Sequence, residues 1–489
     1  MEFLDPPRTC WRIEGATAAA FLVDYQSYYQ ALVVALGEAR RQILLLGWSF
    51  DPRTRLMPDG APSKAAPDQV GRLLIDLATE RPDLEICVLI WRSALAISAT
   101  QDFFPHRARG WFKNTPVAFR LDDTVPLGAC HHQKVVVIDD SLAFVGSGDI
   151  CGDRWDTPAH LERDARRRNS AGGYHQPRHE VMTLVQGPIA AALGDLARRR
   201  WFEAAGERLE PVKAGDAAWP SSITPDIQGA RLAIARTEPR WKMREGADEI
   251  AALAIAAIAG ARRIIYIENQ YFTSPLVAEA LAARLAEPDG PEVVLVSTHE
   301  SASWFDRLTM DRTRSVFIWR LASADVFGRF GVFAPYTAGG ASIIVHAKVM
   351  VVDDVLAIVG SANLNNRSQG FDTECELALE ATSEAERAAI AALRDRLIGH
   401  WLGRSADVVE REWERRPGLI AAIGEMNHHA RLRPIAPRPL SPLGAFIADF
   451  HLGDPMSAAD AWAPRRRRRR LYELAKVRAR TVSEAAARP

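Results

Sequence analysis

The sequence has few features of a disulfide-stabilised or exported protein. Its first residues contain early acids and a double proline where a signal peptide would have an apolar segment, so we do not expect classical export. The cysteines are odd in number, scattered and without a CxxC pair, which argues against a disulfide framework, a zinc ribbon or a redox motif. We expect reduced thiols at Cys10, Cys87, Cys130, Cys151 and Cys375.

Long hydrophobic runs are also missing. The most apolar segment, residues 250–260, is too short to cross a bilayer, which takes about 20 residues. With neither a signal peptide nor a transmembrane segment in the sequence, we expect a protein in the cytoplasm or bound peripherally to a membrane.

Neither sign of charge is in excess. Lys plus Arg and Asp plus Glu both total 61, so the net charge gives no support for nucleic acid as a partner. An exception is the arginine run 465–470, which we interpret as a solvated, partly disordered tail, with attraction to an anionic membrane as the alternative.

One twenty-residue pattern occurs twice. HHQKVVVIDDSLAFVGSGDI begins at His131, and VHAKVMVVDDVLAIVGSANL begins at Val345. The upstream segments ARRQILLLGWSF and ARRIIYIENQYF, from residues 39 and 261, also match, and each follows a helical apolar pattern. The motif repeats five residue types at the same offsets: His132, Lys134, Asp139, Gly146 and Ser147, then His346, Lys348, Asp353, Gly360 and Ser361.

The repeat predicts a duplicated α/β fold. Buried strands alternate with helices in both halves, which is typical of α-β-α layers around a largely buried sheet. We expect a first lobe at residues 1–205, a linker at 206–228, a second lobe at 229–402 and a C-terminal extension at 403–489. The 48% hydrophobic composition of the 489 residues is sufficient for such a core.

The repeated His and Lys suit one phosphate site. Residues two apart on a strand share a face, so each His lies beside its Lys, and both belong at the mouth of a buried strand. Two such pairs across a pseudo-two-fold axis would surround a phosphate with imidazoles and ammonium groups. Each histidine would need an acceptor to orient it; the candidates are Glu180 and Glu374, with Asp156 as a rival in the first half.

The motif aspartates have a different position. Asp139 and Asp353 are each an odd number of residues from their histidine and each opens a turn, so they should point away from the histidines.

The double HxKxxxxD motif followed by GS resembles the phospholipase D superfamily. GDRWDT, IYIENQYF and GSANLNNRS are similar to its phospholipase D branch, and the likeness covers about residues 15–402. The resemblance implies two tandem lobes related by a pseudo-two-fold axis, with one active site between them. It also implies phosphodiester hydrolysis through a covalent phosphohistidine without a metal or another cofactor.

Residue roles follow from the same resemblance. His132 would be the nucleophile and His346 the general acid, while Lys134 and Lys348 hold the phosphoryl oxygens. The remaining motif residues are Asp139 and Asp353, with a structural, charge-pairing part, and the phosphate-binding Ser147, Ser361 and Asn363. The chain departs from the pattern at Asp149, which stands where the second copy has Asn363, and at Glu180, where an Asp is expected.

The expected substrate is a glycerophospholipid, with peripheral membrane contact and no nucleic-acid partner; the sequence does not fix the oligomeric state. Because a phosphohistidine can pass its phosphatidyl group to any hydroxyl that reaches it, transphosphatidylation can accompany hydrolysis. A phosphatidyltransferase of the cardiolipin synthase type is therefore the main alternative, and a superfamily nuclease a weaker one. A non-catalytic membrane-binding protein is disfavoured because both copies keep His and Lys.

Overall fold

A sixteen-stranded sheet runs through the molecule. It is seen in a computed structural model that describes residues 2–58, 68–93, 104–213, 215 and 217–486. In the first lobe, the strands of this sheet follow the spatial order β4-β3-β2-β5-β6-β8-β1, and the two-residue β7 lies outside the sheet. The strands are β1 Arg12–Val23, β2 Gln42–Gly47, β3 Glu85–Trp91, β4 Ala118–Asp122, β5 Val135–Ile138, β6 Leu142–Gly146, β7 Arg178–His179 and β8 Val181–Gln186.

The second lobe repeats this order as β9-β17-β16-β15-β11-β12-β13, followed by β18. The long strands β1 and β9 pair antiparallel at the centre and join the two halves. In addition, β10 pairs with β9, and β14 pairs with β7 of the first lobe. The strands are β9 Ile227–Glu238, β10 Ala247–Asp248, β11 Ile264–Asn269, β12 Glu292–Val296, β13 Phe330–Pro335, β14 Ile344–Val345, β15 Lys348–Val352, β16 Leu356–Gly360, β17 Glu374–Glu380 and β18 Leu432–Pro434.

Helices cover both faces of the sheet. In β5, Val135 and Val137 enter a core shared by the two lobes, whereas Val136 enters a core confined to the first lobe. Both faces of the strand are therefore buried, which is why the strands are continuous apolar runs. The helices are α1 Asp24–Glu38, α2 Val70–Glu80, α3 Pro105–Trp111, α4 Pro188–Ala205, α5 Glu249–Gly260, α6 Pro275–Leu285, α7 Trp304–Ala324, α8 Asn366–Gly370, α9 Glu384–Leu402, α10 Ala406–Glu414, α11 Leu419–Met426, α12 Pro442–Asp449 and α13 Pro464–Ala486.

The α/β fold predicted from the repeat is confirmed, including the helix-strand units that precede each motif. The central strands β1 and β9 were not predicted, because their alanine-rich sequences carry little β-propensity. All five cysteines are free and buried. None of the helices within the described ranges is long and apolar enough to cross a membrane.

The interpretation of the arginine run as a partly disordered tail is wrong. The run lies in α13, which packs against α6. Arg467 is buried, and Arg468 forms an ion pair with Asp449 over 2.6 Å. The helix packs against the rest of the protein because one of its faces contributes apolar residues to the core, among them Leu471 and Val482.

Candidate active site

The two motif histidines are held by glutamates from opposite lobes. His132, just before β5, donates through Nδ1 to Glu374, with 3.0 and 2.9 Å to the two carboxylate oxygens. His346, just before β15, donates through Nδ1 to Glu180 over 2.8 Å. The sequence suggested both glutamates but left open which histidine each would hold. Each one lies across the lobe boundary from its histidine.

Backbone pairing across that boundary brings these groups together. β7, which ends just before Glu180, pairs in parallel with β14, which ends just before His346. The His346 N–H donates to the carbonyl oxygen of His179 over 2.8 Å. In the symmetric position, the His132 N–H donates to the carbonyl oxygen of Thr373 over 2.9 Å. Each histidine is thus bonded to the residue that precedes its own glutamate.

The other ring nitrogen of each histidine remains available. Among the described residues, none hydrogen-bonds to Nε2 of His132 or His346. Their side chains are 15% and 10% exposed, so both rings reach the surface of the site. The rival acceptor, Asp156, bonds to His160 instead. With Nδ1–H turned to a carboxylate, Nε2 of a neutral ring presents its lone pair to the site.

The two motif lysines have different neighbours. Lys134 donates to the carbonyl oxygen of its motif histidine over 2.8 Å, and Lys348 does the same over 2.6 Å. The Lys134 Nζ also lies 3.4 Å from an oxygen of Asp149, whereas Lys348 donates to the amide oxygen of Gln270 over 3.4 Å. Only the first lysine therefore has a carboxylate at this position among the described residues.

Burial is the largest influence on the pKa of His132, His346 and Lys348. It lowers the pKa of His132 well below the usual value, and Lys134 and Lys348 lower it further. Burial also lowers the pKa of His346, although Glu180 acts in the opposite direction. The pKa of Lys348 is lowered by burial and then by Lys134. Groups of both motifs therefore act on one another within one site.

The pKa values of the two glutamates are shifted in opposite directions. Burial alone would raise the pKa of Glu180, but His346 and Arg178 hold it well below its usual value. For Glu374, burial raises the pKa to about 7, against an opposing effect of Lys134. The Arg178 Nε donates to Glu180 over 2.8 Å. Arg178 was missed in the sequence, although its position two residues before Glu180 on one extended segment is a usable signal.

The two serines occupy a different place from the one predicted. Ser147 Oγ donates to Glu180 over 2.6 Å, and Ser361 Oγ donates to Glu374 over 2.5 Å. Both serines are fully buried. Their hydroxyls therefore hold the carboxylates that orient the histidines, whereas the resemblance to the phospholipase D superfamily implies phosphate binding.

Asn363 lies close to its motif lysine. It lines the same small cavity as Lys348, and Asp149 lines a corresponding cavity with Lys134. The Oδ1 atom of Asn363 is buried and bonded to none of the described residues. The amide and the carboxylate thus occupy related places in the two lobes, as the aligned motifs indicated.

Asp139 and Asp353 lie at the far ends of the motif strands. Asp139 accepts backbone N–H bonds from residues 40–42 at 2.7–2.8 Å, and Asp353 accepts them from residues 262–264 at 2.8–2.9 Å. Five residues of strand separate Lys348 from Asp353, roughly 17 Å at 3.3 Å per residue. The two aspartates belong to the repeated motif in the sequence. Their carboxylates hold the backbone of residues 40–42 and 262–264 and are too distant to contact the reacting groups.

Family models match both halves of the chain. A family model described as Phospholipase D matches residues 35–224, and one described as Cardiolipin synthase, PLD-like domain, matches residues 254–400. The chain belongs to the phospholipase D superfamily. It is 25% identical to phospholipase D alpha 1 of Carica papaya, over 71% of this chain and 59% of that protein. It is 23% identical to phospholipase D1 of Saccharomyces cerevisiae, over 73% of this chain and 26% of that protein.

The chain therefore covers at most about three fifths of the length of these two relatives. A solved structure, phosphatidylserine synthase of Haemophilus influenzae Rd KW20, matches over 96% of this chain and 94% of that one. Its TM-score is 0.53 at 10% sequence identity, a likeness of fold.

Proposed function

We propose that this protein is a phospholipase D, which hydrolyses the head-group phosphodiester of glycerophospholipids to phosphatidic acid and an alcohol. The observation that carries the proposal is the crossed arrangement of His132 on Glu374 and His346 on Glu180. It supplies two oriented imidazoles, with two lysines beside them, at one point between the lobes. Two displacements at phosphorus need just such a pair of groups.

In the first displacement, Nε2 of His132 attacks phosphorus and forms a P–N bond. The bond from phosphorus to the head-group oxygen breaks, and that oxygen takes the Nε2 proton of His346. His346 must then start as an imidazolium, with Nδ1–H on ionised Glu180. Burial opposes that charge, but the bound phosphodiester anion adds to the effect of Glu180 and raises the pKa of His346.

In the second displacement, neutral His346 accepts a proton from water. The resulting hydroxide attacks phosphorus, the P–N bond breaks, and phosphatidic acid leaves. The bound phosphate anion favours the ammonium form of Lys348 and opposes the effect of burial on its pKa. The ammonium groups of Lys134 and Lys348, with the amide of Asn363, would stabilise the charge on the phosphoryl oxygens in both steps. Ser147 and Ser361 would act indirectly, by holding the two glutamates.

We propose further that an exposed aromatic pair contacts the phospholipid surface. Trp304 and Phe305 begin α7 with 67% and 49% of their surfaces exposed, and their rings meet edge to face. The neighbouring Asp306 accepts from Tyr271 over 3.0 Å, and Tyr271 adjoins Gln270, the partner of Lys348. Exposed aromatics next to a site for a lipid head group suit the interfacial region of a bilayer.

The decisive experiment uses mixed phosphatidylcholine and phosphatidylethanolamine micelles with a little ethanol, and mass spectrometry of the lipids. Phosphatidic acid together with phosphatidylethanol would support cleavage on the head-group side through a phosphatidyl-enzyme. The absence of both products would overturn the proposal, and phosphatidylglycerol and single-stranded DNA would be tested next.

A phosphatidyltransferase is the second candidate, favoured by the match of residues 254–400 to the cardiolipin synthase-type model. It would use the same phosphohistidine but deliver the group to a lipid alcohol. Phosphatidylglycerol supplied alone separates the two functions, because a transferase makes cardiolipin and glycerol, whereas the lipase makes phosphatidic acid.

The proposed chemical step uses no metal. A chelator added together with a monomeric short-chain phospholipid should leave the initial rate unchanged. Immediate loss of all activity would indicate a metal-assisted hydrolase instead.

A further inference from the structure

A buried cluster of one carboxylate and three imidazoles lies at the lobe boundary, behind the Glu180–His346 pair. Asp24, His160, His179 and His400 each have a potential ligand atom within 4.8 Å of the others. The first three belong to the first lobe, and His400 belongs to α9 of the second lobe. Their side chains are between 0% and 4% exposed.

His179 is already fully bonded. Its Nδ1 donates to Asp24 Oδ1 over 2.9 Å, and its Nε2 donates to Glu268 Oε2 over 2.8 Å. Neither nitrogen is available to another partner. His179 therefore fixes the orientation of the Asp24 carboxylate and leaves its second oxygen, Oδ2, to the other two histidines.

Of the remaining three atoms, the two nitrogens lie within hydrogen-bonding distance of each other, and the carboxylate oxygen has no hydrogen-bond partner among the described residues. The Nε2 atoms of His160 and His400 are 2.9 Å apart, and Asp24 Oδ2 lies 3.6 and 3.7 Å from them. Asp24 Oδ2 is buried and accepts no hydrogen bond from any of the described residues. A single shared proton could join the two nitrogens, but it would leave this carboxylate oxygen unpaired, which is costly in a buried place.

The same three distances fit one face of a coordination tetrahedron. Metal–nitrogen and metal–oxygen bonds of about 2.0–2.1 Å in Zn²⁺ sites imply ligand atoms roughly 3.4 Å apart. The three measured separations lie on either side of that value. One cation would bond to both nitrogens and to the orphaned oxygen at once.

The surroundings of His160 also suit a metal ligand. Its Nδ1 donates to Asp156 over 2.9 Å, so that Nε2 is the nitrogen left for an ion. Asp156 is fixed in turn by the backbone N–H of Arg178 over 2.9 Å. Trp401 stacks on the His160 ring, with centroids 5.9 Å apart and planes at 12°. A carboxylate behind the ligating imidazole and an apolar wall beside it are regular features of protein metal sites.

We propose that Asp24, His160 and His400 bind one divalent transition-metal ion of the Zn²⁺ type, with a water molecule as the fourth ligand. Two imidazoles and one carboxylate form a set that favours zinc over calcium or magnesium. The ion joins the two lobes. It acts on the catalytic pair through position alone, because Asp24 Oδ1 accepts the backbone N–H of Glu180 over 3.3 Å. The metal proposal does not rest on the proposed hydrolysis, because metal content is measured without substrate.

The test is the metal content of the full chain, produced without a histidine tag in medium supplemented with ZnCl₂. After gel filtration in metal-free buffer, we expect about one zinc per chain in the parent protein. His400→Gln should lose most of it. His451→Gln is the matched control, because His451 is also buried but lies in the C-terminal extension. Equal zinc in the parent and in His400→Gln, or none in either, would overturn the proposal.

A second readout keeps the test informative if His400→Gln folds poorly. Asp24 has a positive φ of 65°, a conformation that Asn tolerates, so Asp24→Asn keeps the shape and removes the charged ligand. After the bound metal has been stripped with a chelator and the chelator removed, added zinc should raise the thermal midpoint of the parent protein by several degrees and leave that of Asp24→Asn unchanged. Added Co²⁺ should give the visible d–d bands of a tetrahedral site in the parent only. A parent protein with neither response would have a hydrogen-bonded cluster there and no metal site.

Discussion

Glu180 of the first lobe accepts the Nδ1–H of His346 from the second lobe over 2.8 Å, and Arg178 donates to the same carboxylate. The pair that holds His132, formed with Glu374, has no arginine beside it among the described residues. A near-symmetric duplication has therefore given its two histidines different electrostatic surroundings. The ionised Glu180 favours an imidazolium at His346, which is the state that a general acid needs.

Removing either histidine should abolish turnover. His132→Asn and His346→Asn should each lower kcat at least about 10³-fold, because one removes the nucleophile and the other the proton donor. Release of the head-group alcohol measures the rate, and circular dichroism checks folding. His428→Asn, an exposed position in the C-terminal extension, is the matched control. Substantial activity in either variant would falsify the two-histidine mechanism.

The glutamate variants should reveal which histidine is the nucleophile. A p-nitrophenyl phosphodiester has a leaving group that needs no proton, so Glu180→Gln should still form the phosphohistidine. Hydrolysis of the adduct needs His346 as a base and should slow about 10²-fold. We therefore expect a burst of nitrophenolate followed by a slow phase.

Glu374→Gln should show no burst, because His132 would be wrongly oriented for attack. Stopped-flow absorbance records both variants. A burst with Glu374→Gln and none with Glu180→Gln would exchange the two assignments.

The motif aspartates should matter for stability and not for the reaction. Asp139→Asn or Asp353→Asn weakens three charge-assisted backbone hydrogen bonds and should lower the free energy of unfolding by about 1–3 kcal/mol. We expect kcat to stay within about threefold, since neither side chain reaches the site. Urea unfolding and initial rates measure the two effects. Asp123→Asn, at an exposed carboxylate, is the control, and a large loss of kcat without a loss of stability would contradict this reading.

Because the fold is duplicated, part of the fold and of the site could be predicted from the repeat in the sequence. The motif strands, their preceding helix-strand units and the clustering of His132 with His346 follow from sequence periodicity and the repeat. The crossed glutamates could not be predicted, because the exchange depends on pairing between β7 and β14, each only two residues long. Strands this short have no periodic signal.

The cluster of Asp24, His160 and His400 was missed for a related reason. Its members are far apart in the sequence, and no spacing connects them. The contact between the two lobes brings His400 of α9 to within 3.7 Å of Asp24 at the start of α1. The prediction that the serines bind phosphate came from the motif alone, which does not indicate on which side of the glutamate a hydroxyl lies.

A buried carboxylate next to the site should make stability depend on pH. Burial, and then Glu374, raises the pKa of Glu376 from 4.5 to about 8. The folded protein thus holds this proton more tightly than the unfolded chain. The resulting stabilisation is complete below pH 4.5 and is lost as the pH rises through 8.

Glu376→Gln should therefore have little effect near pH 4.5 and should stabilise the protein at pH 9. The gain should approach about 5 kcal/mol, at about 1.4 kcal/mol per pKa unit. Urea unfolding of the parent and the variant at both pH values measures the difference. A gain of equal size at the two pH values would exclude titration of Glu376 as the cause.

The aromatic pair at the start of α7 should determine the affinity for membranes and leave the rate of the chemical step unchanged. Replacing Trp304 and Phe305 by Ala removes exposed apolar surface that a bilayer would bury, so vesicle affinity should fall at least about tenfold. Activity on a short-chain phosphatidylcholine below its critical micelle concentration should be unchanged.

Trp319→Ala is the matched control, because Trp319 is 62% exposed on the same helix but four turns away from the pair. Co-sedimentation with vesicles of phosphatidylcholine and phosphatidic acid measures the affinity. If Trp319→Ala weakened vesicle binding as much as the double variant, exposed aromatic residues would act non-specifically, and the proposed contact at this end of α7 would be wrong.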